Sequence, residues 1–430
     1  MKKVREGYKK TLAGEIPEEW GYEELNKLVD KITDGTHKTP TYTESGIPFL
    51  RVTDIQKSEI DWNNVKYISQ EEHLELIKRC NPEIGDILYS KNGTIGIPKI
   101  IDWDNEFSIF VSLCLIKMKK QESYIHNKYL EQFLKSDSCM RQIRLRAKQG
   151  TVTNLHLEEI RELIIPIPTI KEQEKIASIL STVDEQIDNV EALIEKNKEL
   201  KKGLMQTLLT KGIGHTKFKK TEIGEIPDEW EVINAGRVFD IITDYVANGS
   251  FASLAANVEY KESEDFAIVV RLTDYKNEYK GPFVYVDKKA YDFLSKSKLE
   301  GDDIIIANVG AYAGYVFRAP NINKPITLGP NAILVRSEQN REFIYYWLSS
   351  EFGQKAIKEI ISTTAQPKFN KTDFKKILLP IPNLKEQYKI SSILLKTDER
   401  IEEHEKEKKK LEQLKKGLMQ QLLTGRIRVV

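Results

Sequence analysis

The chain has 430 residues, of which 40% are hydrophobic and 30% charged. That composition describes a folded protein with a charge-rich surface and excludes disordered and fibrous classes. Lys plus Arg (66) nearly cancels Asp plus Glu (65), so any contact with nucleic acid must come from local patches.

The length suits two or three domains. No run approaches the ~20 apolar residues of a membrane span. The Lys-rich start lacks the apolar core of a signal peptide, so a cytoplasmic protein is expected. Three widely spaced cysteines, Cys80, Cys114 and Cys139, suit neither a disulfide framework nor a zinc site and are expected to be reduced and structural.

In chain order, the first mark is Gly14-Glu15-Ile16-Pro17-Glu18-Glu19-Trp20. Ser69 with Glu72 reads as a capping box opening a helix that runs to about Arg79. The apolar, β-branched runs Phe107 to Met118 and Ile304 to Val309 read as buried strands. Tyr129, Leu130, Phe133 and Leu134 form one stripe of a helix, matched by Phe343, Ile344, Trp347 and Leu348, and both stripes are expected in the core.

After Pro166-Ile167-Pro168, an apolar pattern alternating steps of four and three begins. It runs through Ile176, Leu180, Val183, Ile187, Val190, Ile194, Asn197, Lys201, Leu204 and Leu208, the seam of a coiled coil. The frame returns at Ile390, Leu394, Thr397, Ile401, His404, Lys408, Leu411, Lys415, Leu418 and Leu422, with more polar interruptions. Asn197 at a seam position should fix register or meet another polar group. Helices of about 39 residues, 171–209 and 385–423, would each span roughly 58 Å.

The chain therefore repeats itself. The first motif is echoed by Gly224-Glu225-Ile226-Pro227-Asp228-Glu229-Trp230. Lys171-Glu172-Gln173 returns as Lys385-Glu386-Gln387, and Leu200-Lys201-Lys202-Gly203-Leu204-Met205-Gln206 returns as Leu414-Lys415-Lys416-Gly417-Leu418-Met419-Gln420. Between these blocks the copies diverge, apart from hints such as Arg51-Val52-Thr53-Asp54 against Arg271-Leu272-Thr273-Asp274.

Catalytic motifs are missing. There is no Pro-Pro pair for an adenine methyltransferase and no Gly-x4-Gly-Lys-Ser/Thr phosphate loop. The six histidines show no metal-ligand spacing. No catalytic residue and no metal ligand is assigned.

A Gly-x-Ile-Pro-x-x-Trp entry, a Gly-Asp-Ile-Leu strand (Gly85 to Leu88, looser at Gly301-Asp302-Asp303-Ile304), Ile-Pro-x-Pro, Glu-Gln and a Leu-rich helix all occur twice. This pattern resembles the specificity subunits of type I restriction-modification systems over essentially the whole chain. The resemblance implies an α+β fold with a pseudo-two-fold internal repeat, in which two globular α/β target recognition domains are separated by two long antiparallel coiled-coil helices. It divides the chain into recognition domain 1 (1–150), a conserved helical region (151–220), recognition domain 2 (221–364) and a second conserved region (365–430). It further implies a non-catalytic subunit that binds an asymmetric, bipartite double-stranded DNA target, two modification (methyltransferase) subunits and restriction subunits. Adenosylmethionine and ATP would belong to those partners, leaving this chain without a cofactor of its own.

Residues themselves suggest where DNA would lie. Arg141, Arg144 and Lys148 fall on one helix face, with Lys355 and Lys358 at matching places, as phosphate contacts or as a merely solvated face. The loops carrying Lys91, Asn92 and Thr94, and Asn308 and Tyr312, combine glycine with polar or stacking groups suited to base edges, or form plain strand turns. Thr36, His37 and Lys38 are similar, and Lys368 sits at the junction with the second long helix. The rival reading is a coiled-coil scaffold whose heads bind proteins and no DNA.

Overall fold

The computed structural model describes residues 4–57, 59–120, 124–146, 154–362 and 365–429. The chain divides into two compact units, Met1–Leu193 with His404–Val430, and Ile194–Glu403, so each takes a stretch of both long helices.

The first unit opens on the hairpin Tyr8–Thr11 and Gly14–Pro17. One four-stranded sheet has the order Lys31–Asp34, Leu113–Lys117, Ile87–Ser90, Pro98–Ile100, antiparallel throughout. The other runs Ser108–Ile109, Ile47–Leu50, Lys66–Ile68, Tyr42–Thr43, its first pair parallel. The central strands are covered on both faces, which is why they read as unbroken apolar runs. With period two, Leu88, Leu113 and Leu115 pack with Leu50 and Ile109, while Ile87, Tyr89, Cys114 and Ile116 pack with Tyr129, Phe133, Ile176 and Leu180. The run Phe107 to Met118 is not one strand: Leu113 N–H turns back onto the Phe110 carbonyl at 2.9 Å, sending its halves into different sheets. Ser69 does cap the helix Gln70–Ile77, accepting from Glu72 N–H at 3.2 Å. The reciprocal arm does not form, since the Glu72 carboxylate accepts from Thr41 N–H instead.

The second unit repeats the plan. Ile241–Asp244, Ala332–Arg336, Ile304–Ala307 and Val316–Arg318 form one sheet; Val284–Val286, Ala267–Val270, Ile326–Leu328 and Lys298–Leu299 form the other. The looser copy of the Gly-Asp-Ile-Leu motif resolves here. Asp302 adopts φ +64° and donates its N–H to the Ala319 carbonyl, as Gly85 at φ +90° does to Ile101. Asp86 and Asp303 are then equivalent buried carboxylates, 4% and 3% exposed, each accepting backbone N–H bonds beside a cation. Burial pushes the Asp86 carboxyl above its ordinary range.

The long helices are Ile170–Lys211 and Leu384–Leu422. Gly212 and Gly425, both at φ +65°, end them in a conformation that costs glycine least. In the first unit Lys415 meets Asp184 and Lys408 meets Glu191 at 3.1 Å, so the two stretches run antiparallel. In the second, Lys201 meets Asp398 at 2.6 Å. Of the seam, Ile176, Leu180, Val183, Val190, Ile194, Leu208, Ile390, Leu394 and Leu422 are buried. Ile187, Asn197, Leu204, Ile401, Leu411 and Leu418 are half-buried.

The repeated Glu-Gln opens each helix by tying it to its domain. Gln173 accepts His126 N–H and donates to the Tyr124 and Pro168 carbonyls. Gln387 accepts Asn340 N–H and donates to Pro382. Glu386 accepts the Trp230 indole N–H at 3.1 Å and contacts His215 at 2.9 Å. In the first unit Arg428 holds the equivalent Glu172 through two bonds of 2.6 and 2.9 Å.

Candidate nucleic-acid interface

In each unit a glycine loop leaves the sheet that is antiparallel throughout and lies against the Arg-x-Thr-Asp segment. In the first unit the loop joins Ile87–Ser90 to Pro98–Ile100, with Gly93 and Gly96 at φ +75° and +93°. Thr94 is exposed at its tip and accepts from Gln56 Nε2 at 3.2 Å. Asn92 is half-buried and pairs its main chain with Asn154. Arg51 folds onto Asp54 through its backbone N–H and the Nε and Nη2 groups of the guanidinium.

Lys91 departs from the expectation. Its ammonium lies 3.2 Å from Asp34 with the side chain 7% exposed, so it serves an internal ion pair and is not displayed for a groove. Asp34, itself 2% exposed, also takes the Arg79 guanidinium and the His37 imidazole, the latter at 3.1 Å. His37 remains 63% exposed beyond that contact. Thr36 is half-buried and its hydroxyl donates to the Lys38 carbonyl at 3.0 Å, bracing a loop on which Lys38 is exposed.

In the second unit the loop carries Asn308 and Tyr312 between Ile304–Ala307 and Val316–Arg318. Asn308 is half-buried, its amide donating to Phe369 O at 3.3 Å while its side-chain oxygen is buried without a partner among the described residues. Tyr312 is 56% exposed and carries the Lys276 ammonium over its ring at 2.9 Å from the centroid. Lys276 closes the helix Leu272–Lys276, where Arg271 repeats the fold of Arg51 onto its aspartate. Lys368 is exposed, pairing its main chain with Val309. The second-unit equivalent of Asp34 is Asp244, which takes Lys371 at 2.9 Å.

The basic helix faces are less uniform than their spacing suggests. Arg141 and Arg144 are exposed on Asp137–Arg146, but they line a cleft of about 1100 Å³ that also holds Glu15, Asp137, Asp184 and Glu412. Arg141 donates to the Ala13 carbonyl at 3.2 Å. Lys148 lies outside the described residues. Lys355 and Lys358 are exposed on Glu351–Glu359.

Sequence reasoning missed Arg79, Gln56 and Lys276. Only the last two had a usable signal, since they follow the doubled Arg-x-Thr-Asp hint within two residues.

The family described as "Type I restriction modification DNA specificity domain" matches residues 17–201 and 227–413, one match for each copy of the repeat. The chain belongs to that family. It is a DNA-specificity subunit of a type I restriction-modification system. It is 32% identical to a Methanocaldococcus jannaschii protein provisionally designated the MjaX specificity subunit of a type I restriction enzyme, over 99% of this chain and 97% of that one. The MjaVIII specificity subunit of the same organism is 27% identical over 99% and 96%. Among solved structures, the type I S subunit of M. genitalium covers 98% of this chain at 19% identity with a TM-score of 0.55. A chain from a study of complex assembly in a type I system covers 96% at 17% identity with a TM-score of 0.54. These two likenesses concern the fold alone. The free cysteines Cys80, Cys114 and Cys139 are all buried, and burial pushes the Cys80 thiol up to about 12.

Proposed function

We propose that each unit reads one half of an asymmetric, bipartite double-stranded DNA target, with its glycine loop and Arg-x-Thr-Asp segment as the reading edge. The observation that carries this reading is one backbone arrangement displaying different side chains: Thr94 with Gln56 in one unit, Tyr312 with Lys276 in the other. A shared scaffold with altered tips is what two different half-sites require. Thr36 and the exposed His37, Lys38 and Lys368 would flank these edges, and Arg141, Arg144, Lys355 and Lys358 would hold phosphates. Asn92 and Asn308 would contribute through the loops that carry them.

The chain is non-catalytic in this reading and acts in the cytoplasm. It docks two modification subunits and joins restriction subunits, which bring adenosylmethionine and ATP. Methylome sequencing of a host expressing this chain with its modification subunits tests it. Tyr312→Ala should change the methylated sequence in one half-site and leave the other intact. An unchanged motif, or methyl transfer by this chain alone, sinks the reading.

A further inference from the structure

Within the divergent sheets of the two units, two short segments match. Arg51-Val52-Thr53-Asp54 answers to Arg271-Leu272-Thr273-Asp274, and Tyr42-Thr43-Glu44-Ser45 answers to Tyr260-Lys261-Glu262-Ser263. The second match is hidden in the sequence, because the arginine follows nine positions after Tyr42 but eleven after Tyr260. Strand register restores it. Thr43 pairs with Tyr67, whose other neighbour is Pro48, three residues before Arg51. Lys261 pairs with Tyr285, whose other neighbour is Ile268, three residues before Arg271. Tyr42 and Tyr260 therefore occupy the same place in the fold.

Each arginine is held in the same way. Its backbone N–H and Nε reach one carboxylate oxygen of the aspartate and Nη2 reaches the other, at 2.7 to 3.1 Å. The aspartate could cap the backbone without a guanidinium beside it, so folding alone does not call for arginine. Nη1 makes no hydrogen bond among the described residues. The Arg51 and Arg271 side chains are 32% and 36% exposed. Tyr42 and Tyr260 are exposed as well, and each lies within reach of its arginine's charge. A phenol and the open edge of a fixed guanidinium thus stand together in both units.

We propose that Tyr42 with Arg51, and Tyr260 with Arg271, each grip one backbone phosphate, at the same place in each half-site. The inference rests on the reading that each unit binds one half-site. The loop tips differ between the units, as readers of unlike base sequences must. A pair of side chains kept unchanged suits what both half-sites have in common, their phosphates. The guanidinium offers its Nη1–Nη2 edge to two phosphate oxygens, with the tyrosine hydroxyl as a further donor. Asp54 and Asp274 are positioning residues: they set the angle of the fork and offset its charge, so the contact fixes register more than it adds attraction.

The test uses the full chain with its modification subunits on the duplex found by methylome sequencing, and reads phosphate ethylation interference. The wild type should show one equivalent interfering phosphate in each half-site. Arg51→Gln should remove that signal from one half-site and Arg271→Gln from the other. Each should weaken cognate and random duplexes alike by about tenfold and leave the methylated motif unchanged. Arg51→Lys keeps the charge without the fork and should lose the same signal. Tyr42→Phe and Tyr260→Phe keep the ring and should each cost about threefold in affinity, weakening the signal of their own half-site. Arginine variants that keep the wild-type interference pattern overturn the proposal. So does an altered base preference with the phosphate signal retained, which would make the arginines readers of guanine. Signals that fall only in variants whose melting temperature by circular dichroism falls as well would show a structural role and overturn it too. A wild-type complex with no interference in one half-site overturns the half-site reading along with the proposal.

Discussion

At the residue scale, Lys91 shows how far a local pattern reaches. A lysine beside Asn-Gly on a strand-connecting loop is what a base contact looks like in sequence, and the loop is where that reading placed it. The carboxylate that claims it, Asp34, belongs to a strand far earlier in the chain. Asp34 reaches the loop only because Leu113–Lys117 pairs on one side with Lys31–Asp34 and on the other with Ile87–Ser90. Sequence spacing carries no trace of that strand order. Lys91→Met removes a charge-assisted contact but leaves Asp34 to Arg79 and His37, so it should destabilise the first unit by about 2 kcal/mol. Thr94→Ala, at the exposed tip, should change stability by less than ~0.5 kcal/mol. Denaturant midpoints compare the two variants, and equal midpoints would show that the Asp34 pair is not holding the loop. Thr94→Ala should instead alter base preference at one half-site, read from the methylated motif.

At the element scale, the two basic helices divide along their surroundings. Lys355 and Lys358 stand exposed, whereas Arg141 and Arg144 share a cleft with carboxylates that compete for them. Substituting Lys355 and Lys358 by Ala should weaken cognate and random duplexes alike, lowering the salt slope of binding by about one unit for each phosphate no longer neutralised. A changed target motif with an unchanged salt slope would mean these lysines do not hold phosphates.

The long helices were legible because a seam of steps four and three survives in any context. Their polar interruptions were not. Lys201 and Lys415 read as breaks in the apolar pattern, yet each meets an equivalent aspartate on the antiparallel neighbour, Asp398 and Asp184. Gln132 donates to Asp184 and Tyr346 to Asp398, both at sites where the sequence showed only one flank of an aromatic helix. Burial would raise the Asp184 carboxyl, but Lys135, Lys415 and Gln132 outweigh it and hold the group below its ordinary range. Asp184→Asn should therefore lower the stability of the first unit as the solution is brought to neutral pH and matter less in acid, where the wild-type carboxyl is itself protonated. The carboxylate's contribution is present above its unfolded pKa and is lost as pH falls through the depressed folded value. Thermal midpoints of the two proteins that stay equally separated across that range would contradict the assignment.

At the scale of the whole molecule, the divided architecture was readable from the repeat alone, since two unlike copies bracketed by near-identical helical blocks allow few other plans. What the sequence could not place was the cut between compact units. It falls inside both helices, after Leu193 and before His404, instead of at the junctions between domain and helix. If the helices set the distance between half-sites, their length should be written into the target. One matched heptad added near the middle of each keeps every seam residue in phase. It lengthens each helix by about 10.5 Å at ~1.5 Å per residue, close to three base pairs at ~3.4 Å each. The expected product is a complex that methylates the same two half-sites across a longer gap, with some activity lost because the added turns also rotate the reading edges about the duplex. Methylome sequencing reads the gap directly. A two-residue insertion would instead move Ile187 and Val190 off the seam and should lower the melting temperature before DNA is added. Should the heptad variant fold, bind its modification subunits and still require the original gap, the helices do not measure the target, and spacing must be set by how the modification subunits grip the DNA.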